Sequence, residues 1–328
     1  MVSNSGANKV VIVSPALREA NNGNWHTAHR WAQFLSGQHA VALLGGWPGP
    51  GTATGAAAMI ALHARRSATS IQAWARQNPG KPLMLVLTGT DLYRDIATDA
   101  QAQSSLALAS HLAVLQQNGL QALPPALRAK ACVIYQSARP LKPAPKSPHP
   151  FRAVMVGHLR DEKDPLTWLR AAAAAYPTPM CFGQIGAALQ PELALAARAA
   201  QQSIAGYRWL GNLPRAAARQ HIKRAHVLVN SSLMEGGAQV IVEAVQSGTP
   251  VLASAISGNI GMLGEDYAGY FPAGDHRALA ALLQRCASAP AFLSRLEQQC
   301  RERSHLFAPE TEKRLVINWV NRALKAFP

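Results

Sequence analysis

The chain reads as an α/β protein of two doubly wound, parallel-sheet domains. Three observations predict this: short apolar runs recur in two sets, helical stretches separate the runs, and a proline-rich break divides the sets. The first set is Lys9–Ser14, His39–Leu44, Met59–His63, Leu83–Thr88, Leu112–Leu115 and Cys132–Tyr135. The second is Ala153–Gly157, Met180–Ile185, Tyr207–Leu210, His226–Asn230, Pro250–Ala253 and Gly269–Phe271. Most are unbroken apolar runs, the pattern of parallel strands covered by helices on both faces. Thr27–Leu35, Ser67–Gln77 and Leu189–Ser203 carry helical periodicity between them. Residues 138–150, ARPLKPAPKSPHP, place five prolines in thirteen positions, which continue neither a helix nor a central strand. They are read as the end of a first domain (1–150), followed by a second (151–308) and a terminal helix (309–328) able to pack on either domain.

Composition narrows the function. A length of 328 residues with 48% hydrophobic and 15% charged residues suits two folded cores. The net charge of +15, from 32 Lys+Arg against 17 Asp+Glu, attracts anions. The basic residues are dispersed, and no Lys/Arg run, zinc-finger spacing or RNA-binding signature accompanies them, so a small phosphate-bearing substrate is expected rather than nucleic acid. Cys132, Cys181, Cys286 and Cys300 form no CxxC pair and read as free thiols of a reducing compartment. With no leader-like start and no apolar stretch approaching ~20 residues, a cytoplasmic protein without a membrane span is expected.

Six stretches carry candidate chemistry. In MEGGAQVIVEAVQSGTPVLAS (234–254), Glu235 and Glu243 lie seven residues apart around a predicted helix, Ala238–Gln246. Gly236 and Gly237 leave backbone N–H groups open at its start, where a phosphate or sugar hydroxyl is favoured. Glu243, about two turns down, is placed to accept from a diol. In VGHLRDEKDP (156–165), Arg160 and Lys163 follow a strand end, where α/β ligands bind. The Asn21-Asn22-Gly23-Asn24 turn allows close approach of the main chain to a ligand, with His26, His29 and Arg30 on the next helix. LTGTDLYRD (87–95) supplies Thr88, Asp91 and Arg94, and HARRS supplies Arg65 and Arg66; each lone cation reads equally well as plain surface. Gly258, Asn259 and Gly261 form a glycine turn, with Glu265 beside it as a polar candidate.

The Glu-x7-Glu spacing followed by SGTPV resembles the retaining GT4 glycosyltransferases, and VGHLRDEKDP resembles their VGRLxxEKG stretch. Together with NNGNW, HARRS, LTGTDLYRDI, ALPPALRAK and GNIGMLGEDYAGYFPAGD, the chain is similar from about Val10 to Pro309 to the selenosugar synthases, a GT4-like family. The resemblance implies a GT-B fold, two Rossmann-like domains with parallel sheets facing across a cleft. It implies Glu235 on the donor sugar with Arg160 and Lys163 on the diphosphate, as the catalytic set. Glu243 would hold the ribose, and Gly236, Gly237, Gly258, Asn259, Glu265, Gly23 and Asn24 would line the donor. Arg65, Arg66, Thr88, Asp91, Arg94, His26 and Arg30, with Arg18, would face the acceptor. Thr88 stands where related transferases carry a His, so that His's role does not transfer. The implied donor is a UDP-sugar, UDP-N-acetylglucosamine, and the implied acceptor is selenophosphate, with no cofactor and no metal. A hydroxyl acceptor, or a nucleotide-sugar-binding or epimerase protein on the same fold, remain alternatives.

Overall fold

The computed structural model describes residues 8–16, 23–49, 55–147 and 149–327, in two compact units: 1–136 with 309–328, and 137–308. Arg18, Asn21 and Asn22 lie outside the described residues. The first unit contains β1 (Lys9–Val13), α1 (Gly23–Leu35), β2 (Ala40–Leu44), β3 (Ala58–Leu62), α2 (Ala68–Gln77), β4 (Leu83–Leu87), α3 (Ile96–Thr98), α4 (Ala100–Leu108), β5 (His111–Val114), α5 (Gly119–Ala122) and β6 (Ala131–Val133). The strands form one parallel sheet, in order β2-β1-β3-β4-β5-β6. AMIAL and LMLVL, the central β3 and β4, are buried throughout, which is why they carry no polar alternation. One core gathers Val11, Met59 and Leu85 with Trp74, and the other gathers Val10, Ile60 and Met84 with Trp31.

The second unit contains β7 (Phe151–Val156), α6 (Pro165–Ala172), β8 (Met180–Ile185), α7 (Pro191–Ser203), β9 (Tyr207–Trp209), α8 (Arg215–Arg224), β10 (Val227–Asn230), α9 (Gln239–Val245), β11 (Val251–Ser254), α10 (Ser257–Leu263), β12 (Tyr270–Phe271), α11 (His276–Ser288) and α12 (Pro290–Arg303). Its parallel sheet runs β12-β11-β10-β7-β8-β9. Read from the other edge this is the third, second, first, fourth, fifth and sixth strand of the unit, the order of dinucleotide-binding folds. The direction of winding reverses between β7 and β10. The ends of the neighbouring strands β7 and β8 are packed tightly: a Cβ on Gly186, at φ +147°, would lie 1.9 Å from the Gly157 carbonyl oxygen.

Each predicted strand is present, with ends shifted by two residues at most. The proline-rich stretch packs within the second unit: Leu141 N donates to Gln246 O at 2.8 Å, and His226 Nε2 lies 2.9 Å from Ser147 O. The terminal helix α13 (Pro309–Ala326) belongs to the first unit. Its fully buried Glu312 accepts from Arg30 Nε at 2.7 Å, Arg30 Nη2 at 2.9 Å and Trp31 Nε1 at 2.7 Å. Trp319 meets Trp31 edge-on at 5.9 Å, joining α13 to α1. Among the described residues, no helix is long and apolar enough to cross a membrane.

Candidate functional site

In the second unit the loops after β7 and β10 meet where the sheet's winding reverses, the usual ligand position of such sheets. Lys163 Nζ donates to Glu235 Oε1, which also accepts from Ser232 Oγ at 2.7 Å and Asn230 Nδ2 at 3.4 Å. Both side chains are largely buried, 17% exposed for Lys163 and 10% for Glu235. Burial pushes the Glu235 carboxyl up, but the Lys163 charge and the hydrogen bonds from Lys163, Ser232 and Asn230 outweigh it and hold the carboxyl below its usual range. The loops are tied by backbone contacts as well. Ser231 Oγ donates to the carbonyls of Lys163 and Asp164, both at 3.0 Å, and Leu233 N donates to Glu162 O at 2.9 Å. The Lys163 stem runs beside Gly157, its Cδ 3.5 Å from where a Cβ would stand, an ordinary contact distance.

A second layer supports Glu235. Asn259 Nδ2 donates to Ser254 O and Oγ, both at 3.0 Å, and Ser254 Oγ donates to Ser232 O at 2.5 Å. Gly258 fits under the Glu235 backbone, where a Cβ would lie 2.0 Å from its carbonyl oxygen. Gly258 and Asn259 thus stand in the first turn of α10 and shape the loop from behind. Gly236 and Gly237 form the bend between Glu235 and α9. Glu265 lies on the exposed turn after α10, outside this network.

Arg160 is about one-third exposed, with its Nε 3.8 Å from Glu162 Oε2. Aligned letter by letter, VGRL falls on Val156–Leu159, which sets the motif arginine against His158; Arg160 brings its charge from two residues further on. His158 Nδ1 accepts from Ala187 N at 3.2 Å, and burial, with Arg160 and Lys163 nearby, pushes its imidazole down. Glu243, on α9, is buried with its side chain 4% exposed, and its Oε1 accepts from Arg215 Nε at 2.6 Å. Sequence reasoning passed over both His158 and Arg215. For His158 the register of the motif was the available signal; for Arg215 none was local, since its partner lies 28 positions away.

In the first unit the winding reverses between β1 and β3, and HARRS leaves β3 at that point. His63 turns the chain there with φ +72°, a strained conformation for a residue bearing a side chain. Its buried ring sits 3.1 Å from Thr90 Oγ1, while Nδ1 accepts from Arg66 N at 3.4 Å. Burial pushes this imidazole down, with Asp91 opposing. Asp91 is fully buried and accepts from the backbone N–H of Ala64, Thr88 and Gly89 at 2.8–2.9 Å, with Thr88 Oγ1 adding a 3.4 Å contact. It holds two loops together.

The first unit's candidate cations divide. Arg30 is committed to Glu312. Arg65 and Arg94 share Asp95, at 2.9 and 3.1 Å. Arg66 is exposed and forms no ion pair among the described residues. Gly23 and Asn24 open α1, and half-buried His26 follows, its carbonyl accepting from Arg30 Nη1 at 3.4 Å. Among the described residues, no group of three or more His, Cys, Asp or Glu gathers as a metal site.

Residues 141–303 match the family model for glycosyl transferases group 1. Solved structures share the fold across both units. Sucrose-phosphate synthase from Thermosynechococcus elongatus is 17% identical over 98% of this chain and 100% of its own, with a TM-score of 0.78. HepE from Anabaena, solved with UDP and glucose, is 16% identical over 96% of this chain and 100% of its own, with a TM-score of 0.73. The pneumococcal O-GlcNAc transferase GtfA, solved with UDP and GlcNAc, is 16% identical over 81% of this chain and 57% of its own, with a TM-score of 0.66. The match covers just under half of the chain, and the two parallel six-stranded sheets have the fold of GT-B glycosyltransferases.

Proposed function

We propose that this glycosyltransferase moves a sugar from a UDP-sugar, UDP-N-acetylglucosamine, onto selenophosphate. The observation that carries the donor half is the buried Glu235–Lys163 pair at the winding reversal of the second sheet, with Glu243 one helix away. HepE and GtfA, both solved with UDP, support a uridine donor. Lys163 and Arg160 meet the diphosphate charge that grows as the glycosidic bond breaks. Selenium attacks the anomeric carbon, the bond to UDP breaks, and UDP leaves with the electron pair. Water then cleaves the phosphorus–selenium bond, giving phosphate and a selenosugar. Selenophosphate is already an anionic nucleophile, so no strong general base is required. The acceptor identity rests on the resemblance of the seven stretches given above.

Incubation with UDP-N-acetylglucosamine and selenophosphate is expected to yield UDP, phosphate and a selenium-bearing sugar by mass spectrometry. A hydroxyl acceptor that turns over faster at equal concentration would overturn the acceptor. Arg66→Ala is expected to raise the KM for selenophosphate about tenfold, the worth of one charge-assisted contact, and to leave UDP affinity unchanged. A weakened UDP affinity with an unaltered selenophosphate KM would remove Arg66 from the acceptor side. Because side chains neutralise the diphosphate in this reading, EDTA is expected to leave turnover unchanged. Activity lost in EDTA and restored by magnesium or manganese would count against it.

A further inference from the structure

Helix α8 breaks two local rules, and Glu243 answers them at Arg215 and Arg219. The helix opens on Arg215 with no acidic residue in its first turn, which sets a cation at the positive end of the helix dipole. Arg215, Arg219 and Lys223 then follow at four-residue steps, placing like charges along one face. Such placements persist where something outside the helix compensates them. Here the compensation is one buried carboxylate on the neighbouring helix α9: Arg215 Nε reaches Glu243 Oε1 at 2.6 Å, and Arg219 feels the same charge. Arg219 is held from its other side, with Nη2 donating to Arg139 O at 2.6 Å. Glu243 Oε2 has no hydrogen bond to a described residue.

We propose that Arg215 is a positioning residue for the nucleotide half of the donor. By occupying Oε1 it fixes the rotamer of Glu243 and turns Oε2 toward the ribose hydroxyls, so the site selects a ribonucleoside diphosphate over its deoxy form. The inference rests on the reading of Glu243 as the ribose acceptor. A carboxylate spinning between rotamers would satisfy a diol only part of the time, whereas one held on a guanidinium presents its second oxygen continuously.

The test is calorimetry with UDP, 2′-deoxy-UDP and 3′-deoxy-UDP on the full chain, for wild type, Arg215→Gln, Arg215→Ala and Glu243→Gln. Wild type is expected to favour UDP over the better-bound deoxy form by about tenfold, the worth of one hydrogen bond to a charged acceptor. In Arg215→Gln and in Glu243→Gln the ratio is expected to fall to about twofold or less. A purely structural role for Arg215 would lower the fraction of competent protein, seen as stoichiometry, and leave the ratio intact. The alanine variant decides the matter if the glutamine variant does not fold. If Glu243→Gln loses the ratio and the Arg215 variants keep it, the Arg215 assignment is overturned and the ribose reading stands. If Glu243→Gln keeps the wild-type ratio, or wild type shows none, the ribose reading fails and the assignment falls with it.

Discussion

Glu235→Ala is expected to lower turnover by about two to three orders of magnitude, the size of effect seen when a preorganised polar group is removed from a reacting centre. UDP affinity is expected to hold within about twofold, because the loss falls on the transition state and not on the bound ground state. The basis is geometric. Glu235 is fixed by Ser232 and Asn230, and Ser232 is itself held by Asn230 and by Ser254 with Asn259 behind it, so the Glu235 carboxylate reaches the site without reorganisation. Removing it also frees Lys163 for the diphosphate contact proposed above. Steady-state kinetics with calorimetry check this. A kcat within about tenfold of wild type, or a loss confined to KM, would take Glu235 away from the reacting sugar.

Lys163→Ala is expected to act on binding and on stability together. It removes the cation proposed for the diphosphate and leaves the Glu235 charge buried without a counter-charge. Breaking a buried ion pair from one side costs about 3–5 kcal/mol. The two neutral donors left on Glu235 favour the lower end of that range, which corresponds to a fall of about 6–12 °C in melting temperature for a unit of this size. The sign with pH follows from the depressed Glu235 carboxyl. Its contribution is complete above the ordinary carboxylate range and is lost as pH falls through its folded value. Without Lys163, burial pushes the same carboxyl up, so the variant sheds its penalty on protonation. The stability gap between wild type and variant is therefore expected to be widest near neutral pH and to narrow in acid. A gap that stays constant from pH 7 to below the carboxylate range, in denaturant titrations, would show that the pair carries no such linkage.

The strands were legible because parallel strands buried on both faces need nothing but apolar side chains, and AMIAL, LMLVL and MCFGQI are nearly that. Their ends were less so, since His63 continues the apolar run yet leaves the ladder at positive φ. Glu235, Glu243 and Lys163 were legible from spacing and resemblance. What each one touches was not. Arg215 reads as a solvated helix charge until α8 lies against α9, and Arg30 reads as a ligand cation until Glu312, 282 positions later, takes it. Asp91 reads as a polar group free for an acceptor, yet three backbone N–H groups claim it. Partners that distant exist only after folding, and no local pattern announces them.

The Arg30–Glu312–Trp31 contact also sets an order of events in time. During synthesis residues 1–136 leave the ribosome before the second unit, yet Val316, Trp319, Val320 and Ala323, which share a core with Trp31 and Leu35, are made after it. Until they arrive, the Trp31 ring N–H lacks its Glu312 acceptor and the core under α1 lacks the side chains that α13 supplies. The second unit, continuous from 137 to 308, has all its strands before then. A ribosome that stops short of Pro309 thus releases a chain whose second unit has all its strands and whose first unit lacks the α13 part of its core.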